Sequence, residues 1–229
     1  MKFLKSIYYE KYTKKSYSIS NVDLIIDRIF ANKKKGVYID VGCNHPIKYN
    51  NTYLLYKRGW NGINIDLDKL SIKEFNKFRK KDYNVETIVS SDGKIKEVYF
   101  YHDRSATNTL SKELINYRKS KTKKIKKESR TLNEIIENSP FNKKKINLIS
   151  IDVENYEYEV LKNFNFKKYR VDLIVAECLD LSQKKLEMYT QSLDFIIKTK
   201  LYKLLIKNNY KLINWVNSDL VFFNKKTKI

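Results

Sequence analysis

The chain has 229 residues, 42% hydrophobic and 14% aromatic, which is enough apolar material for one α/β domain with a sizeable core and argues against disorder along its length. Its formal net charge of +21 points to nucleic acid, an anionic surface, an acidic substrate, or simply a solvated lysine surface in a chain also rich in Asn, Ile and Tyr. No stretch approaches the roughly 18 apolar residues of a membrane span, and Cys43 and Cys178 stand too far apart for a metal-type spacing, so free thiols in a reducing compartment are expected.

Residues 1–19 carry Tyr8, Tyr9, Tyr12 and Tyr17 among lysines without clear periodicity and read as an extension packing on a single domain, 20–229. The opening "MKFLKSIYYEKYTKK" is broken by charge too often for a signal-peptide apolar region, so a cytoplasmic location is expected. From Ser20, a cap-like Ser20-x-x-Asp23 precedes Val22, Ile25, Ile26 and Ile29, which share one helical face.

Short apolar runs then alternate with amphipathic ones. Strands are predicted at 37–41, 62–66, 84–89, 146–151, 171–176, 211–216 and 220–223. Helices are predicted at 51–58, at 72–80 behind Ser71-x-x-Glu74, at 131–138 behind Thr131-x-x-Glu134, at 156–164 and at about 186–207. This alternation implies crossover connections and a mostly parallel sheet with helices on both faces. Only a tight turn around 217–219 separates the last two strands, so that pair must be antiparallel. Residues 95–101 look like an added strand. The run 119–127, with six lysines, reads as a surface connection of low order that is either solvated or a grip for an anion.

Ligands of open parallel sheets bind beyond the carboxyl ends of the strands, and acidic residues recur there: Asp40, then Asp66 and Asp68, then Ser90-Ser91-Asp92, then Asp152 and Glu154, then Glu177. Any one of them could be a helix cap; five strand ends in succession outline an acidic rim. Asp66, some 24 residues past Gly42, sits where a carboxylate accepts both hydrogen bonds of a ribose diol, which points to an adenosine-containing cofactor. Pyrophosphate loops need several glycines, whereas "DVGCNHP" has one, beside an Asp40 that would repel phosphate. S-adenosylmethionine, cationic and without phosphate, suits such a loop better.

The ordered series "VYIDVGCNHPIKYNNTYLLYKRGWNGINIDLD", "IVSSDG", "RTLNEII", "INLISIDVENYEYEVLKNF" and "VDLIVAE" resembles the FkbM-type family of S-adenosylmethionine-dependent methyltransferases over roughly residues 30 to 223. The resemblance implies a Rossmann-like seven-stranded sheet with an antiparallel last strand. It places Asp40, Gly42 and Asn44 at the amino-acid moiety of the cofactor, Asp66 at its ribose, and Ser91 and Asp92 near its adenine. Asp152, Glu154, Glu157 and Glu177 fall beside the reaction centre, with Asp152 also counted among the cofactor contacts. Pro46 and Asn155 stand where the family has glycine, and Asp66-Leu67 where it has Glu-Pro; Asn155 is the substitution that best tolerates positive φ.

The resemblance implies O-methylation of a hydroxyl on a sugar, glycan or secondary metabolite. Glu154 or Glu177 is the candidate for orienting or deprotonating the acceptor, with His45 as an alternative base and His102 an ordinary exposed histidine. Asp152, Glu154 and Glu177 could also hold a divalent cation, though without a defined ligand spacing. Two other readings stand beside this one. One is an RNA methyltransferase using the basic surface, for which no Asn-Pro-Pro-Tyr-like segment is present. The other is a non-catalytic methyltransferase-fold binding module.

Overall fold

The computed structural model of the chain describes residues 13–183 and 192–227. Its strands are β1 (Val37–Val41), β2 (Asn61–Asp66), β3 (Tyr83–Glu86), β4 (Ile88–Val89), β5 (Lys96–Phe100), β6 (Lys123–Lys127), β7 (Ser129–Arg130), β8 (Leu148–Ile151), β9 (Leu173–Glu177), β10 (Tyr210–Val216) and β11 (Asp219–Asn224). Seven of them form one sheet in the order β10-β11-β9-β8-β1-β2-β3. All neighbours are parallel except β11, which runs antiparallel to both β9 and β10. The tight turn predicted at 217–219 is a hairpin at Asn217 and Ser218, with Asn217 at φ 52°.

The central strands are buried along their length and mostly apolar, because both faces are covered; Asp40 in β1 and Ser150 in β8 are polar exceptions. Val37, Ile39 and Val41 of β1 point into one layer with Ile149, Ile151, Ile174 and Phe222, closed by helices Leu132–Glu137, Glu157–Leu161, Leu193–Lys198 and Lys200–Lys207. Tyr38, Leu148, Val175 and Val221 point the other way, against Val22, Ile26 and Phe30 from helix Val22–Ile29 and its end, and against Leu55 and Trp60.

Several expected elements change. The run 84–89 breaks at Thr87, whose amide bonds the Asp66 carbonyl as β2 ends; the next two residues then pair with Ser129 and Arg130 in a separate ladder. The lysine run is not disordered: β6 pairs antiparallel with β5, placing Ile125 opposite the buried Val98 and Lys124 beside Glu97 at 2.7 Å. One inward apolar residue suffices to anchor a two-stranded ribbon whose other positions face water. Of the helix expected at 186–207, residues 184–191 lie outside the described residues; the remainder is two helices broken at Thr199, whose hydroxyl caps the second by accepting from the Tyr202 amide.

Capping follows the same logic with mixed success. Thr131 and Glu134 form a full capping box. Ser71 instead lies inside helix Lys69–Phe78, which Asp68 caps by accepting from the Leu70 and Ser71 amides. Asp23 is no cap either: its carboxylate accepts from the Ser16 and Ser18 hydroxyls and the Tyr17 amide, tying residues 16–18 to the domain. Tyr17 packs edge-on against Tyr53 at 4.7 Å, while Tyr8, Tyr9 and Tyr12 lie outside the described residues.

The loop after β1 is held from beneath by Arg79, a side chain with no exposure at the end of helix Lys69–Phe78. Its guanidinium donates to the Pro46 carbonyl (2.8 Å), the Tyr38 hydroxyl (2.9 Å), Thr52 Oγ1 (3.2 Å) and Asn50 Oδ1 (2.5 Å), and lies 3.7 Å from the Asp82 carboxylate. Replacing one partner of a buried ion pair strands the other, a loss of about 3–5 kcal/mol. Arg79→Met is therefore expected to lower the urea-unfolding free energy by about 3 kcal/mol or more; a change below about 1 kcal/mol would show that other contacts hold the loop.

Candidate functional site

The chain leaves β1 toward β2 and β3 on one side and reaches β8 and β9 on the other, so the loops after β1 and β8 diverge and open a cleft at the carboxyl ends of the strands. A narrow cleft with about 60 Å³ of free space lies between Gly42, Asn44, Asp66, Ile88 and Val89 on one side and Asp152, Glu154 and Tyr156 on the other. Its apolar wall and few convergent polar groups are the lining of a small-molecule site.

Gly42 is obligatory for a reason internal to the protein. It sits at φ 77°, and a Cβ there would lie 1.7 Å from the Asp152 carbonyl oxygen of the neighbouring strand end. The absent side chain lets the ends of β1 and β8 close at the cleft floor. Asn44, also left-handed at φ 48°, turns its amide to Asp66 Oδ2 at 2.8 Å, while the Asp68 amide reaches Oδ1 at 2.8 Å. Each oxygen keeps a lone pair for the cleft, and burial pushes the Asp66 carboxyl up to about 6 against those two donors.

Other sequence candidates fall elsewhere. Asp40 is buried within β1, accepting from Asn50 Nδ2 (2.9 Å) and Thr52 Oγ1 (2.8 Å), and does not line the cleft. Asp68 is a helix cap whose other oxygen accepts the Arg104 amide. Ser91 bonds Glu159, and Asp92 accepts from Lys96 and the Lys94 amide, so this turn braces the wall that Thr87, Ile88 and Val89 present. His45 is outside the cleft: its Nδ1 accepts the Ile47 and Lys48 amides at 3.1 and 3.0 Å, which fixes the Nε2–H tautomer, and Nε2 faces Glu74 at 3.8 Å. Both backbone contacts favour a neutral ring, and its partial burial lowers the pKa further.

The turn after β8 carries two consecutive left-handed residues, Glu154 at φ 59° and Asn155 at φ 70°. The expected tolerance at Asn155 holds, and Glu154 adds strain of roughly 1–2 kcal/mol. This turn is pinned: Thr109 donates to the Glu154 carbonyl (2.6 Å), Arg118 to its carboxylate (2.8 Å), and Asn155 Nδ2 to Ser111 (3.0 Å). The segment 105–110 thereby crosses the cleft, contributing Ser105, Ala106, Asn108 and Leu110 to its lining. Nothing in the sequence pattern announced these residues.

Behind Asp152 lies a set of carboxyls. Asp219 stands opposite Glu177 in the β11–β9 register, and Glu157 accepts the Val153 amide at 3.0 Å. Glu177 is buried; one oxygen accepts from Ser218 at 3.3 Å and the other has no hydrogen-bond partner. Asp152 is exposed at the cleft. Burial first, then repulsion by neighbouring carboxyls, raises Glu177 well above the carboxylate range and Glu157 to about 7; burial alone takes Asp219 to about 6. Among the described residues no group of three or more His, Cys, Asp or Glu is placed to hold a metal ion, and no helix is long and apolar enough to cross a membrane.

A carboxyl whose pKa is higher folded than unfolded adds stability below its unfolded pKa and loses that contribution as pH rises through the folded value. With Asp66 and Asp219 near 6 and Glu157 near 7, the ligand-free protein is expected to melt at a higher temperature at about pH 5.5 than at about pH 8. Calorimetry checks this, and a melting temperature that rises with pH across that window would contradict it.

The model of the methyltransferase FkbM domain matches residues 40–204. No curated protein matches the chain significantly. Among solved structures, a protein from Sulfolobus solfataricus described as a candidate type 11 methyltransferase is 12% identical over 88% of this chain and 90% of its own, with a TM-score of 0.39, a likeness too distant to bear on function. The family match runs from the end of β1 through the cleft-lining turns and across β8 and β9, well over half of the chain, and on that ground the protein belongs to the FkbM methyltransferase family.

Proposed function

We propose that the chain is an S-adenosylmethionine-dependent O-methyltransferase acting on a hydroxyl of a sugar, glycan or secondary metabolite. The observation that carries the cofactor reading is the cleft itself. It has a close-approach glycine, Gly42, at one end, Asp66 held by two amides, and an apolar wall at Ile88 and Val89. The strand order, with β11 antiparallel between β9 and β10, is consistent with the seven-stranded Rossmann-like variant that the resemblance implies.

When bound, the cofactor supplies a methyl group on a sulfonium. In this reading Asp66 accepts from the ribose hydroxyls, and Gly42 and Asn44 present backbone to the amino-acid end. Thr87, Ile88 and Val89 flank the base, in place of Ser91 and Asp92. The carboxylate of Asp66 puts a negative charge on the cleft, which favours a cationic ligand over a phosphate-bearing one. In this reading Glu177 takes the acceptor's proton by way of Asp152, which lines the cleft as Glu177 does not. Burial raises the Glu177 pKa, which strengthens its hold on a proton. Glu154, clamped by Arg118, orients the acceptor.

Asp66→Asn keeps the side-chain shape but removes the charge. Calorimetric titration with S-adenosylhomocysteine is expected to show affinity reduced by about tenfold or more, from the loss of charge-assisted hydrogen bonds, and wild-type affinity falling as pH drops below about 6. Unchanged affinity, or none in the wild type, would favour a non-catalytic module. For Glu177→Gln, methyl transfer to a hydroxylated acceptor should slow by about 10²-fold while cofactor affinity stays within about twofold; an unaltered rate would remove Glu177 from the mechanism.

A further inference from the structure

A second groove, of about 760 Å³, lies at the opposite edge of the sheet from the cleft, beneath the amino-terminal ends of β1, β8, β9 and β10 and the far end of β11. It is lined by Lys33, Lys145, Lys167, Arg170, Lys207 and Lys226, six of its twelve residues, whereas Lys and Arg are 47 of the 229 in the chain. A general lysine surplus does not account for that density. The six come from separate loops and helix ends, so it is the fold, not a sequence run, that brings them together.

Their charge is not neutralised locally. Asp172 is the one acid lining the groove, and it is already occupied: Lys145 pairs with it at 2.9 Å, Asn147 donates to it at 2.7 Å and Thr227 at 2.8 Å. The other five cations form no ion pair with described residues. The lysine-rich β5–β6 ribbon is the opposite case, since Lys96, Lys124 and Lys127 each have a carboxylate partner there. Mutual repulsion of unpaired cations in a concave site is relieved by an anion.

We propose that this groove binds the phosphate backbone of single-stranded nucleic acid. Its residues lie under five adjacent strands, a span of roughly 19 Å at the usual interstrand spacing, long enough for several consecutive phosphates. Asn208, Asn209 and Asn224 add amide groups among the cations, and the half-buried ring of Phe166 supplies a surface on which a base can stack. The site is independent of the cofactor cleft and reads no base there; it tethers the protein to a polyanion.

The test is fluorescence anisotropy of the full chain with a labelled oligouridylate of about 16 nucleotides at about 100 mM salt. The triple variant Lys167→Glu, Arg170→Glu, Lys207→Glu should bind at least about tenfold more weakly, and its salt dependence should be shallower by about 2 in logarithmic slope. A Gln version of the same three positions, which adds no new charge, should weaken binding in the same direction and guards against misfolding of the first. Lys123→Glu with Lys126→Glu in the ribbon should leave affinity within about threefold. Absence of binding by the wild type, equal loss from the groove and ribbon variants, or equally tight binding of heparin would each overturn the proposal.

Discussion

A guanidinium with no access to water, at residue 79, governs how the loop after β1 is shaped, and the cleft depends on that loop. Arg79 gathers Pro46, Asn50, Thr52 and Tyr38 around itself, and Asn50 and Thr52 in turn hold Asp40. With residues 46–52 fixed from below, residues 42–44 have little freedom left. Gly42 meets the Asp152 carbonyl, and the Asn44 amide meets Asp66. A single glycine is enough because an interior ion network, rather than a run of small residues, shapes the turn.

This arrangement changes the role of Asp40. Expected from its place beside Gly42 to repel phosphate, it lies under the loop and faces Asn50 and Thr52. The carboxylate that does line the cleft beside Gly42 and Asn44 is Asp66. Similarly, Pro46 serves the fold through its carbonyl, as an acceptor for Arg79.

The parallel core was readable because strands buried on both faces must be apolar at successive positions, as in Val37 to Ile39 and Leu173 to Ala176. The antiparallel end was readable because two residues cannot make a crossover. Arg79 was not recognised, since "FRKKD" looks like a solvated charge run. The available signal was its helical phase: Ile72, Phe75 and Arg79 fall on one face, and the first two are buried. The segment 105–110 had no such signal, because a polar loop that crosses a cleft has the composition of any surface loop. His45 drew attention as a histidine beside a cofactor loop, yet its ring is spent on two amides of its own turn.

In the proposed function, S-adenosylmethionine lies with its amino-acid end at Gly42, its ribose on Asp66 and its base against Ile88 and Val89. A crystal structure with S-adenosylhomocysteine measures this most directly. It should show the ribose hydroxyls on the Asp66 carboxylate, the amino-acid end over Gly42 and Asn44, the base against Ile88 and Val89, and the sulfur facing Asp152. Density for the ligand elsewhere, or in this cleft with the ribose away from Asp66, would contradict it.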